Sequence, residues 1–501
     1  MKKLLSLLLA AMLLVSVSAI AAAEDKPLAG LEFSILCTTW SPYSTETTLI
    51  PAIEEATGAK INVEWALKTD FDTRVNAVLA SNEIPDVIMG ANYLNLLDQG
   101  AIIPLDEYLT EENTPNILKA LSDGDYAFMR NVADGCIYEI PSVFDFPPVN
   151  SWVVRTDWME KLGLKSLDTW EDWLTYWRGV LANDMNGNGD ATDEIAIACN
   201  YKNLRTSFIP TSTTTGYFCV TDDGEYTVYY ESPKFASYLE TMVSLYQEGI
   251  LRSENFTAST GDLKTIVTSG LGATMQTAAE WSMTITQALR ETYPDAAFQC
   301  VLPITTPLGD QVINARAKIS GRGVITVAGE SKAADIMKLF DYLYSEEGEA
   351  LMNFGVEGVH HEVVDGKKKL LSPYVDSFVN ARGAGLIFQP FPFLWDSDNY
   401  MQILLGGKSY DELSEPQRFF YDGLFMNTPY HVVAAPTLAT EAYATYGTDV
   451  FTTLTEAEAN CITGNITIEE FWKTYEMVKT TMGLNEIIAQ AADAWKVVNG
   501  K

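Results

Sequence analysis

Apolar and polar positions change their spacing repeatedly along the first hundred residues, and each change predicts an element. Residues 31–36 form a short apolar run that reads as a first strand, and residues 49–57 have helical spacing that stops at Gly58. Residues 61–65 alternate as a strand, 71–80 return to helical spacing, and 85–89 make a short apolar strand closed by Gly90. Strand, helix, strand, helix, strand is the signature of a parallel sheet covered by helices, so the fold class is α/β. In such sheets ligands meet the loops beyond the C-terminal strand ends. Those loops hold Trp40, Tyr43, Asn92 and Tyr93.

A second unit begins after residues 137–141. Pro147 and Pro148 punctuate the run into residues 152–155, which suits an extended crossover between lobes. Thr169, with Asp172 three residues on, is an N-cap for a helix in which Trp170, Trp173 and Trp177 share a face with Leu174 nearby. That stripe reads as core packing rather than as a sugar platform.

At 501 residues and 47% hydrophobic composition the chain is long and apolar enough for at least two cores, and a cleft between them is expected. Charge narrows the partners. With 67 acidic against 33 basic side chains, and a net charge of −34, the surface repels phosphate backbones and anionic headgroups, so nucleic acid is excluded as a partner.

Lys2 and Lys3 precede an apolar run over residues 4–20 that ends in Ala21, Ala22 and Ala23. This reads as a signal peptide over residues 1–23 and predicts an extracytoplasmic protein, secreted or associated with the cell surface; an uncleaved anchor is the alternative. Six scattered cysteines do not form a disulfide framework, and free buried thiols are expected, with Cys199 and Cys219 the one pair close in sequence.

The sharpest local signal is the loop 184–194. Asp184, Asn186 and Asn188 place side-chain oxygens at alternate positions, Gly189 takes the sixth position for a tight turn, and Asp190 offers its carbonyl. Asp193 and Glu194 would close the set, one position earlier than the twelfth-position glutamate of a full EF-hand, where Ile195 stands. The chemistry is that of a structural calcium ion wrapped by one loop; the alternative is an Asn/Gly/Asp helix stop that binds nothing.

Catalytic motifs are scarce. His360, His361 and His431 have no metalloprotease spacing, and the adjacent pair reads as loop histidines, since neighbouring residues point different ways. Aromatics are more informative. Trp281 follows the apolar strand at 272–275, and Trp395 with Asp396 ends a proline-broken aromatic segment at 388–396. Flat rings beside Asp, Asn and Gln suit sugars, whose C–H faces stack while their hydroxyls take hydrogen bonds.

The stretch 153–164, continuing through 169–173 into the Asp184 loop, resembles family 1 extracellular solute-binding proteins of ABC importers. The likeness is to their long, calcium-loop-bearing branch, which includes alginate-oligosaccharide-binding and other glycan-binding proteins. Residues 85–88, 100–106, 344–348 and 355–360 extend it in the family's order over most of the chain. The resemblance implies a two-lobed periplasmic-binding-protein type II fold whose hinge is crossed several times, near residues 148, 304 and 375. The N-terminal lobe would be 24–148 plus 305–375, and the C-terminal lobe 149–304 plus 376–501, carrying the calcium loop. It also implies that Asp184, Asn186, Asn188, Asp190, Asp193 and Glu194 bind calcium. The loop is one residue longer than the common family version, and Cys37 does not fit a lipid-attachment cysteine.

The expected function is capture of a carbohydrate, an oligosaccharide, in the interlobe cleft by a monomer that passes it to the permease subunits of an ABC transporter. The expected ligand contacts are Trp40, Tyr43, Asn92, Tyr93, Trp281, Trp395 and Asp396. No enzymatic step is expected. The alternatives are a secreted calcium-dependent carbohydrate-active enzyme, such as a lyase or glycosidase, and a binding protein for a non-sugar nutrient such as a peptide. The acidic global field favours neutral glycans.

Overall fold

The computed structural model describes residues 26–39, 49–67, 69–81, 83–121, 129–131, 133–145, 150–211, 216–279, 281–315, 319–364, 366–371, 393–394, 410–433, 437–438 and 440–498. The expected signal peptide, the crossings near 148 and 375, and Trp40, Tyr43, Trp395 and Asp396 lie outside the described residues. The chain divides into two units. One is Met1–Asp145 with Lys318–Gly407, and the other is Phe146–Ala317 with Lys408–Lys501.

The first unit follows the early periodicity closely. In chain order it begins with β1 (Glu32–Thr39), α1 (Leu49–Thr57), β2 (Lys60–Leu67), α2 (Phe71–Ser81), β3 (Val87–Met89), α3 (Tyr93–Asp98), α4 (Pro115–Ala120) and β4 (Ile140–Asp145). β1 pairs in parallel with both β2 and β3, as a strand–helix–strand repeat requires. Leu36, Phe71, Val75, Ile88, Leu96 and Val324 form a buried core on this sheet. Its central register is fixed by Asp86, whose carboxylate accepts from the Ser34 backbone N–H at 2.8 Å, from Ser34 Oγ at 3.0 Å, and from Lys332 Nζ at 3.0 Å.

In the second unit come β5 (Asn150–Arg155), α5 (Thr156–Lys161), α6 (Trp170–Leu181), α7 (Tyr201–Phe208), β6 (Phe218–Val220), β7 (Tyr226–Val228), α8 (Phe235–Gln247), α9 (Thr260–Thr268), β8 (Thr274–Ala278), α10 (Trp281–Arg290), β9 (Phe298–Val301) and β10 (Ile313–Ala315). β5 is the middle strand of a three-stranded antiparallel sheet between β8 and β9. Thr169 and Asp172 form the capping box expected from sequence. The tryptophan stripe is core: Trp173 and Trp177 are fully buried, Trp173 lies edge-on to Trp152, and Trp177 Nε1 donates to Thr274 Oγ1 at 3.1 Å.

The chain then returns to the first unit as β11 (Ile319–Ile325), α11 (Ala333–Leu343), α12 (Glu346–Phe354), the hairpin β12 (His361–Val364) and β13 (Lys367–Leu370), and β14 (Phe393–Leu394). β11 lies antiparallel between β3 and β4, completing the order β14-β4-β11-β3-β1-β2. At Gly323 a side chain would begin 2.2 Å from Met89 Sδ, so any larger residue there would have to displace the Met89 thioether. His360 and His361 are both buried, and His361 opens a strand where sequence suggested a loop; His360 Nδ1 accepts from the Val356 backbone N–H.

The last segment, α13 (Glu415–Met426), β15 (His431–Val433), α14 (Glu441–Ile462), α15 (Ile468–Thr481) and α16 (Leu484–Val498), belongs to the second unit. Glu458, buried on α14, accepts from the hydroxyls of Tyr229, Tyr230 and Tyr238. Residues 305–315 also hold to this unit. Thr305 Oγ1 donates to the Asp168 carbonyl at 2.8 Å, Lys234 pairs with Asp310 at 3.2 Å, and β10 runs parallel to β15. The unit boundary therefore falls at 317/318, where sequence placed a crossing near 304. All six cysteines are free, five of them buried and Cys136 partly so. No helix among the described residues is long and apolar enough to cross a membrane.

Candidate functional site

Two segments of the second unit run side by side and end together. Residues 195–198 lie parallel to the start of β8: Ile195 bridges Gly272, and the Ala198 N–H donates to the Thr274 carbonyl at 2.7 Å. Both then turn into helices. Asn200 caps α7 by accepting from the Lys202 N–H, and β8 passes through Ala278 into α10, which starts at Trp281. The paired strand end of β5 contributes Asn150, which is exposed and sits opposite Ala278.

This strand end gathers aromatic, amide and cationic side chains. Tyr201 stacks on Phe256 with ring centres 4.5 Å apart. Asn203 Nδ2 donates to Gln276 Oε1 at 2.7 Å, tying α7 to β8. Trp281 is half-buried, and the Lys264 ammonium from α9 lies 3.9 Å from the centre of its ring. Burial pulls the Lys202 ammonium below its ordinary value, and the nearby Arg205 guanidinium acts in the same direction. Trp281 was named from sequence. Lys202, Lys264, Tyr201, Asn203 and Gln276 were not, because they come from three separated segments; the Asn200 cap before an aromatic–lysine pair was the only local signal.

In the first unit, Asn92 and Tyr93 do follow β3, but Tyr93 opens α3 instead of lying in a loop. Asn92 Oδ1 accepts from the Leu94 N–H and so caps that helix. Tyr93 is partly buried and stacks on Tyr138 at 6.4 Å. Burial, with Glu139 and Asp134 adding to it, pushes the Tyr93 phenol up to about 12, so it stays a neutral donor at physiological pH.

The Asp184 loop is strongly pre-organised. Asp184 Oδ1 accepts from the N–H groups of Gly187 and Asn188, and its Oδ2 accepts from Gly189. Gly187 and Gly189 both have positive φ, 77° and 93°, which lets the chain turn twice around that carboxylate. Asn188 Nδ2 and Asn186 Nδ2 reach the two oxygens of Asp193 at 2.7 and 3.4 Å, so the two halves of the loop meet. The Asp190 carboxylate turns outward to Thr192, whose hydroxyl and N–H hold it below its usual range, leaving its carbonyl as the expected donor. Glu194 is 1% exposed; its Oε1 accepts from the Met185 and Asn186 N–H groups, while Oε2 is buried with no hydrogen-bond partner among the described residues.

An orphaned carboxylate oxygen at the closing position fits a hard cation, which takes six to eight oxygen ligands. Among the described residues no group of three or more His, Cys, Asp and Glu side chains is placed to hold a metal; in this loop two of the side-chain donors are asparagine amides.

No family model matches the sequence. The chain is 23% identical over 333 residues to lipoprotein LipO of Bacillus subtilis (strain 168), which covers 63% of this chain and 64% of LipO. It is 29% identical over 202 residues to the fructooligosaccharide ABC transporter substrate-binding protein FusA of Streptococcus pneumoniae, covering 35% of this chain and 37% of FusA. These alignments thus span less than two thirds of either relative. Its structure superposes on that of the alginate-binding protein AlgQ2 without calcium ion, with a TM-score of 0.74 and 20% identity over 95% of this chain and 99% of AlgQ2. A FusA EF-hand mutant in complex with fructo-nystose gives a TM-score of 0.69 at 18% identity over 94% of this chain and 100% of that one. The fold is that of the two-lobed α/β solute-binding proteins, and in sequence the chain resembles substrate-binding proteins of ABC transporters.

Proposed function

We propose that this chain is an exported, extracytoplasmic binding protein that captures an oligosaccharide and delivers it to the permease subunits of an ABC transporter. The observation that carries the reading is the strand end at β8. There, Trp281 opens the helix that follows β8 and the Asn203–Gln276 amide pair ties α7 to β8, supplying the ring and the hydrogen-bonding groups that sugars require. The likeness to proteins named for alginate and fructooligosaccharide supports the same class. Capture makes and breaks no bond. Asn92 and Tyr93 of the first unit, and Trp40, Tyr43, Trp395 and Asp396, complete the proposed contacts.

Calcium is proposed at the Asp184 loop, held by the side chains of Asp184, Asn186, Asn188, Asp193 and Glu194 and by the Asp190 carbonyl. Bound there it would supply positive charge that draws the loop's oxygens together, a structural role. Lys161 Nζ on the Met185 carbonyl and Arg252 on the Glu194 carbonyl anchor both ends of the loop to the second unit.

Titration of tryptophan fluorescence with a panel of oligosaccharides tests the function. A saturable change with at least one glycan, lost or weakened about tenfold in Trp281→Ala, is the expected result. No response across the panel, with release of products from a polysaccharide at catalytic protein concentration, would replace the binding reading with an enzymatic one.

A further inference from the structure

β2 is an edge strand: it pairs with β1 on one side, and among the described residues no strand covers its other side. The Lys60 N–H donates to the Leu31 carbonyl at 2.8 Å, so the even-numbered residues of β2 bond towards β1 and the odd-numbered ones turn their backbone groups outward. The outward N–H of Ile61 is already satisfied, donating to Glu54 Oε1 of α1 at 2.8 Å. Beyond it the edge is open. The N–H groups of Val63 and Trp65 meet no acceptor among the described residues. The side chains of Val63, Trp65 and Leu67 form an apolar row along this stretch, the first two half-buried and Leu67 38% exposed. Folded sheets ordinarily guard such an edge with charge, proline or a bulge. Here the polar residues of β2 stand on the opposite face and are spent within the chain, Lys60 and Asn62 on Glu32 and Glu64 on Arg74.

We infer that this edge pairs antiparallel with the same edge of a second copy of the chain, about a two-fold axis at Trp65. The open stretch is self-complementary in that register. Trp65 meets its counterpart, Val63 meets Leu67 on either side, and Glu64 faces Ala66, so every contact along the apolar row is apolar on both sides. The neighbouring two-fold registers fail. An axis at Glu64 sets that carboxylate against its own copy, and an axis at Val63 calls on the Ile61 N–H that Glu54 already holds. So short a contact buries less than the roughly 1,200 Å² of a stable interface, and the dimer is weak, with a dissociation constant on the order of 100 µM. The net charge of −34 on each whole chain opposes association, and salt screens that repulsion, so the dimer strengthens as salt rises. This pairing is independent of the carbohydrate reading and replaces the monomer expected from sequence.

Sedimentation equilibrium of the chain from residue 24 to residue 501, at low and high salt, tests the pairing. The wild-type protein is expected to pass from monomer to dimer as concentration rises, at lower concentration in high salt. Trp65→Lys places a charge on the axis, and Val63→Pro removes an outward donor without touching a bond to β1, a position at which an edge strand tolerates proline. Both should weaken the dimer at least tenfold at an unchanged melting temperature; if the proline variant does not fold, the lysine variant carries the comparison. The register has its own readout. Trp65→Cys stands about 5.5 Å from its counterpart, within disulfide reach, and should cross-link under oxidation beyond the wild-type background. Val63→Cys, about 13 Å from its counterpart along the strand, should not. A monomer at every concentration and salt, which would leave the edge open or to a strand of another protein, overturns the inference. So does a dimer that survives both edge variants, or equal cross-linking of the two cysteine variants.

Discussion

Glu194 Oε1 accepts from the Met185 N–H at 2.6 Å, while Oε2 of the same buried carboxylate meets no partner among the described residues. One oxygen closes the loop on itself and the other is left as a bare acceptor, a costly arrangement unless a cation or water completes it. Adding calcium to chelator-stripped protein is therefore expected to raise the melting temperature. At a hundred times Kd the gain is about 2.7 kcal/mol, or several degrees for a unit of this size. Glu194→Gln and Asp193→Asn should abolish most of that rise, and elemental analysis should find metal in the wild-type chain alone. An unchanged melt with no bound metal would remove calcium from the proposal.

Asp86 joins β1, β3 and the lysine at the approach to α11 through one carboxylate. Asp86→Ala leaves the Ser34 N–H and the Lys332 ammonium without their acceptor and should cost about 2–4 kcal/mol, whereas Asp86→Asn, which keeps one oxygen, should cost less. Denaturant unfolding by circular dichroism separates the two; equal losses would show that the charge, and not the acceptor, matters.

Depth should separate Thr169 from Glu458. The Thr169 cap is exposed, so Thr169→Ala is expected to cost about 1 kcal/mol. Glu458 is fully buried and accepts three tyrosine hydroxyls, so Glu458→Ala should cost about 3 kcal/mol or more. Urea midpoints at constant m-value provide the comparison.

Burial pulls His431 down to about 4 from 6.5. Because the folded value lies below the unfolded one, this residue's contribution to stability is complete above about pH 6.5 and is lost as pH falls towards 4. Melting temperatures at pH 7 and pH 4.5 should therefore differ less in His431→Gln than in the wild-type chain. A larger difference in the variant would contradict the sign.

The early elements were legible because their physics is local. Apolar spacing gave residues 49–57 as a helix and 61–65 as a strand, and both stand within the observed α1 and β2. The Thr169 capping box needed only four residues of sequence, and the Asp184 loop only eleven. The sequence pattern does not show Tyr93 as helical, because the Asn92 cap opens a helix of only six residues, too short to leave a periodic mark. Likewise, nothing local told residues 305–315 which unit to join. Two of their attachments, Asp168 and the strand at His431, lie more than a hundred residues away in sequence.

Sequence alone determined the α/β class, the core role of the tryptophan stripe, the acidic balance and the spacing of oxygen donors at residues 184–194, since each depends on neighbours within a few turns of chain. Tertiary structure decided which of Glu194's two oxygens is left bare among the described residues, and that Lys264 rests on Trp281. Composition sums every charge equally, whereas a folded surface weights each by its distance and its exposure to screening solvent.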